Sequence, residues 1–328
     1  MKIKTFKGEN GITIIAIAII VVILAVILAS VLSSKNDNDK IGFPTDYLEQ
    51  TTVVDDDNGN KVVIPAGFKM LPECGTTVQQ GIVISDRSGN EFVWIPIGNI
   101  KNSDGTSTNI ELARYSFADN GVVLRKYDDD KLMDGSSNSF IEGTSANAID
   151  FYSAAKSLDN FKTSATSKGG YYIARYEANR GPGERALSRN DSSWTYMQQS
   201  AAAESASHTY SNELIESDLV NSYAWDTALV FIQTYSGNSK YSKQVSLNSS
   251  LERTGDRLDN STDKVCNIYD MASNCYEWTT ELTADARPSM VLRGGAYGTT
   301  STACSRISDT NSLRDFNRIS FRSIIYIK

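Results

Sequence analysis

Residues Gly11 to Leu32 (GITIIAIAIIVVILAVILASVL) form an uncharged, almost wholly apolar run of 22. About 20 helical residues, rising about 1.5 Å each, cross the hydrocarbon core of a bilayer. The run therefore predicts a transmembrane or pilin-like helix rather than part of a globular core. Lys2, Lys4 and Lys7 precede it against a single Glu9. This excess of positive charge predicts a cytoplasmic basic leader at 1–10 and export of everything after Leu32. A cleavable secretory signal is the competing reading, but the run exceeds the roughly 7 to 15 apolar residues of an ordinary signal core.

The formal net charge is −7, and the exported part is more acidic still because the leader holds three of the lysines. Recognition of nucleic acid by phosphate neutralisation needs the opposite balance and is excluded as a function class. Cys74, Cys266, Cys275 and Cys304 are too few and too scattered for a disulfide scaffold, although export permits one bridge. No CxxC pair occurs, which excludes a zinc ribbon. The start KGENGITIIAIAIIVVILAVILA resembles a type IV prepilin leader, with Gly11 as the cleavage-site glycine. That family carries glutamate at the fifth mature position, where this chain has Ala16, so the resemblance implies a minor pilin-like protein or a simple anchor rather than a shaft subunit.

Residues 33–60 are polar and turn-rich and read as a stalk, which places the start of the folded domain near Lys61. Strand-type runs follow at KVVIP (61–65), GIVISD (81–86) and EFVWIPI (91–97), the last two forming a hairpin across Arg87 to Asn90. Phe151, Leu158 and Phe161 recur at helical spacing and predict a helix from about Ala148; a second begins after Asn221 or Ser222. Between them lie a strand, GYYIARYEA (170–178), and a short helix around Met197 to Ser205. The C-terminal third reads as mostly irregular, ending in the strand-like ISFRSIIYIK.

Five segments occur in a telling order: FVWIPIG (92–98), GYYIARYEA (170–178), VNSYAWDTALVF (220–231), NIYDMASNCYEWT (267–279), and VLRGGAY (291–297) with SFR (320–322). Together they resemble the formylglycine-generating enzyme, or sulfatase-modifying factor, family over 61–328. The resemblance implies an α+β fold of C-type-lectin-like kind, loop-rich, with a small twisted antiparallel sheet and flanking helices. Trp94, Trp225, Trp278, Arg293 and Arg322 then read as structural.

The sulfatase-activating members use a copper-binding cysteine pair whose soft thiolates suit Cu(I). The corresponding positions here are Thr299 and Cys304, so the resemblance implies that this oxidase chemistry is lost. Iron-dependent relatives need several histidines, whereas the chain has only His208, which sits in the polar stretch SASHTYS and reads as a surface residue. Some members bind calcium near the segment matching Asn274 and Glu277. A structural Ca²⁺ and a hydrogen-bonded Glu277 without metal are both open, and no cofactor is required.

Residues Ala296 to Ser320 contain no Lys, Glu, Gln, Met or Trp, although those types make up 48 of the 328 residues. Composition alone leaves such a gap in roughly 1 or 2 per cent of cases, so a cause is worth seeking. The segment resembles the variable region of diversity-generating retroelement target proteins, many of which place it at the C-terminus of this same fold. Randomising template adenines in Asn codons never yields the five missing types. The resemblance implies a paratope-like surface of adaptable side chains, with Tyr297, Thr299, Thr300, Thr302, Asp309, Asn311, Ser312, Arg314, Asp315, Phe316 and Asn317 as contacts and Arg306 and Arg322 as scaffold. The expected partner is a protein or glycan met at the cell surface, with the membrane engaged through the N-terminal helix. A degenerate oxidase and a non-diversified minor pilin-like adhesin are the alternatives.

Overall fold

The polar run at 55–60 closes a hairpin. Asp56 is 3% exposed, and its carboxylate accepts the N–H groups of Asn58, Asn60 and Val78 at 2.9, 2.7 and 2.8 Å. Gly59, at φ 76°, completes the turn between strands Thr52–Asp55 and Lys61–Ile64. Turn residues inside a fold and in a stalk have the same composition, so the expected boundary at Lys61 is corrected: Phe43–Lys328 forms one compact unit.

The computed structural model describes residues 42–127, 131–133, 139–144, 150–256, 262–309 and 317–328. The leader, the apolar run 11–32 and residues 33–41 of the expected stalk lie outside these. Among the described residues no helix is long and apolar enough to cross a membrane.

The described fold is mostly β-sheet with three α-helices. One six-stranded antiparallel sheet runs in the order Ile215–Leu219, Ser323–Ile327, Gly170–Ala174, Glu91–Pro96, Val83–Asp86, Phe68–Met70. Its Val83–Asp86 and Glu91–Pro96 strands form the expected hairpin, with the Asp86 N–H donating to the Asn90 carbonyl. The strand expected over 170–178 ends at Ala174. The next residue, Arg175, donates its N–H to the Glu91 carbonyl at 3.0 Å and pairs its guanidinium with the Glu91 carboxylate at 2.6 Å.

The helix expected from about Ala148 begins only at Leu158, where the Ser157 hydroxyl caps the Asn160 N–H; Gly169 ends it at φ 76°. Phe151 has φ 62°, a left-handed conformation that no helix accommodates. Helix Gln199–Ser207 lies close to its expected place. Helix Ser222–Tyr235 starts as expected, with Asn221 Oδ1 accepting from Ala224 N at 2.9 Å. Trp225, Ala228, Phe231 and Ile232 are all fully buried on it, so it is a core helix with little polar face.

The C-terminal third is more regular than expected. It supplies most of a second six-stranded sheet, built around Tyr276–Thr283 with Met290–Arg293 and then Arg306–Asp309 on one side. Ile319–Phe321 pairs in parallel with the start of that central strand. Alternation is weak here because every residue of 277–283 is buried, so both faces of the strand are covered and the period-2 signal vanishes.

Candidate functional site

The segment after Met290–Arg293 rests on a buried ionic platform. Arg293 and Arg306 are direct cross-strand partners, an arrangement that repels unless carboxylates intervene. Asp226, from the core helix, accepts from both at 2.5 Å. Glu281 accepts from Arg114 at 2.5 Å, Arg306 at 2.9 Å and Arg293 at 3.3 Å. All five side chains are at most 1% exposed. Arg306, expected to be scaffold, is thus fixed from two sides.

Burial pushes the Glu281 carboxyl up, but Arg306, Arg114 and Arg293 outweigh it and hold the group at about 2, against an ordinary 4.5. Burial instead raises Asp218 to about 7 and Asp263 to about 6, from an ordinary 3.8. The stability from Glu281 is complete above about pH 4.5 and lost as pH falls toward 2. That from Asp218 and Asp263 is complete below about 3.8 and lost as pH rises through 6 to 7. Thermal unfolding scanned across pH should therefore give the highest Tm near pH 4, between about 3.5 and 4.5, with a decline from there toward pH 7. A Tm still climbing at neutral pH would contradict these assignments.

Above the platform the chain makes a close passage. A Cβ on Gly294 would lie 2.7 Å from the Met271 carbonyl oxygen, and one on Gly295 would lie 2.2 Å from that of Ala272. The backbone is then fastened along its length. The N–H groups of Tyr297, Gly298, Ala303 and Cys304 donate to the carbonyls of Asn274, Asn248, Gln244 and Ser242. The Trp225 indole N–H donates to the Ala303 carbonyl at 2.9 Å.

The expected contact residues divide. Thr300 is exposed, and Thr302 and Asp309 are half-buried. Thr299 is half-buried, with its hydroxyl turned back onto the Ala296 carbonyl at 2.8 Å. Tyr297 needs correction: it is only 9% exposed, accepts from Asn317 Nδ2 at 2.8 Å and lies under the Arg318 guanidinium at 4.9 Å. Tyr297 and Asn317 therefore brace the two ends of the segment against each other. Asn311, Ser312, Arg314, Asp315 and Phe316 lie outside the described residues.

Sequence reasoning missed the neighbouring loop. Val245, Leu247 and Leu251 are 42%, 48% and 39% exposed, and Val245 bridges Thr302. Apolar residues interleaved with Ser and Asn in QVSLNSSL were the available signal. The result is a face of hydroxyls with an apolar border.

Asn274 and Glu277 have protein partners. Asn274 Oδ1 accepts from Asn248 Nδ2 and Glu252 N, both at 3.0 Å, and its Nδ2 donates to Glu177 at 2.6 Å. The Glu277 carboxylate is held by two nitrogens of Arg322, Nε at 2.6 Å and Nη2. Burial raises its pKa and Arg322 opposes the rise. Arg322 supplies the positive charge beside Glu277.

Cys304 lines a pocket of about 230 Å³ with Lys243, Thr302, Ser305 and Arg306. Its thiol lies 3.5 Å from the Thr302 hydroxyl, and all four cysteines are free thiols. A hydroxyl beside a single thiol does not fit a two-thiolate copper site. His208 ends its helix exposed. No family model and no curated protein sequence matches the chain.

Proposed function

We propose that the chain is a surface-displayed binding protein with a formylglycine-generating, C-type-lectin-like domain carried outside the cell on the 11–32 helix. Segment 296–320 is its variable face, diversified by a retroelement, and it grips a protein or glycan without chemistry.

One observation supports this reading: the described part of the segment is anchored on its inner side and polar on its outer side. Ala296, Ala303, Ile319 and Ser320 are buried and Arg306 is locked into the platform, while Gly298, Thr300 and Ser308 face solvent. An exposed set that varies over an inner set that cannot is what a paratope requires. The hydroxyl neighbours of Cys304 support binding over oxidation.

Deep sequencing of the 3′ end of the gene across a growing population tests this without the ligand. Substitutions should concentrate at adenine-derived positions of codons for exposed or half-buried residues, such as 300, 302 and 309, and spare 296, 303, 306 and 319. A uniform sequence, or changes scattered without regard to burial, would sink the proposal.

A further inference from the structure

Seven non-glycine residues among those described have positive φ, and they fall into two groups with one outlier, Phe151. Cys266, Asn267, Asp270 and Asn274 belong to a loop whose conformation has internal partners. The Asn267 amide, for instance, donates to the carbonyls of Cys74, Gln80 and Gly81. Glu184 (φ 58°) follows Gly183 (φ 68°) in the turn between the paired strands Asn179–Arg180 and Ala186–Leu187, whereas Tyr196 (φ 62°), which lines the same surface groove as Glu184, has no such explanation. A left-handed backbone is sparsely populated for a bulky aromatic residue, and such outliers gather where a ligand is held.

The groove measures about 780 Å³. Tyr196 is 72% exposed, and its hydroxyl makes no hydrogen bond among the described residues. Trp194 is half-buried beside it, packed on Phe321 at 5.8 Å between ring centroids. Arg180 lies over the Trp194 ring at 5.6 Å and pairs with Glu184 Oε1 at 2.5 Å. That pairing uses Nε and Nη2 of the guanidinium and a single carboxylate oxygen. Among the described residues, the Arg180 Nη1 donor and the Glu184 Oε2 acceptor are left for a ligand on the rim.

From these features we infer a second binding site, outside the 296–320 segment, for a neutral oligosaccharide. The exposed Tyr196 ring gives a sugar's apolar face a surface to stack on, beside Trp194. The adjoining donor and acceptor match hydroxyl groups, which both give and take hydrogen bonds. Arg180 already covers Trp194 and its charge is balanced by Glu184, so neither a cationic nor an anionic ligand gains from the site.

Trp94, Trp225 and Trp278 are fully buried, so Trp194 is the indole that a ligand reaches. The full chain, in a detergent without a sugar headgroup, is titrated with cellotriose, maltotriose and triacetylchitotriose while tryptophan fluorescence is followed. At least one should give a saturable change at millimolar concentration or below. Tyr196→Ala, on an exposed ring, should weaken it about tenfold, and Tyr196→Asn, which tolerates the same backbone, should weaken it equally. Thr300→Ala should leave it unchanged. No saturable change with any of the three sugars, wild-type affinity in both Tyr196 variants, or an equal response to a proline-rich decapeptide would overturn the proposal.

Discussion

Asp226→Ala lowers the unfolding free energy by about 3 to 5 kcal/mol, as measured by urea denaturation of the full chain. The magnitude is that of breaking a buried ion pair by removing one partner. Arg293 and Arg306 both donate to this carboxylate at full burial, and Tyr115 N–H donates to it at 2.9 Å. The alanine variant leaves two guanidinium groups with Glu281 alone, three arginines facing one carboxylate. Asp226→Asn keeps an acceptor but not the charge, so it should recover only part of the loss. A change under about 1 kcal/mol for Asp226→Ala, the size expected of an exposed pair, would show that the platform does not carry the segment above it.

Trp278→Ala should cost a similar amount, about 3 to 5 kcal/mol, for a different reason. The ring is fully buried in a cluster with Leu282, Leu292 and Phe321. Its indole N–H donates to the Met197 carbonyl at 2.9 Å, so truncation leaves both a cavity and an unsatisfied acceptor. Thr300→Ala, at an exposed position, should stay within about 0.5 kcal/mol. If the threonine change unfolded the domain and the tryptophan change did not, the division into support and display would be wrong.

Much of this division was legible before the fold. Trp94, Trp225, Trp278, Arg293 and Arg322 are each buried completely, in keeping with a structural reading of those residue types in those motifs. The Asn221 cap and the 83–96 hairpin were legible because their signals are local. What escaped was non-local. Asp226 and Glu281 carry the platform, yet their role depends on three arginines that are distant in sequence. An acid within the otherwise apolar run YAWDTALVF was a clue that it pairs with something buried. Tyr297 was misplaced for a related reason: a tyrosine in a Gly-, Ser- and Thr-rich loop reads as displayed until its brace, twenty residues on, is known. Gly, Asn and Asp marked the turn at 55–60 correctly but could not tell a turn inside a fold from a tether.

Glu277 and Trp278 pair with Arg293 and Leu292 along one edge of their strand, and with Ser320 and Phe321 along the other. The chain therefore departs and returns on opposite flanks of the same two residues, its feet about two strand spacings, or roughly 10 Å, apart. A loop with such fixed ends behaves like a handle riveted at both sides. Lengthening it changes the closure entropy only slowly, by about 0.6 kcal/mol for each doubling, and leaves the rivets untouched. Insertions and deletions between Asp309 and Asn317, clear of the fastened stretch and of the Arg306–Asp309 strand, are thus open to this architecture as well as substitutions, so its reach toward a partner can be altered in length independently of its chemistry.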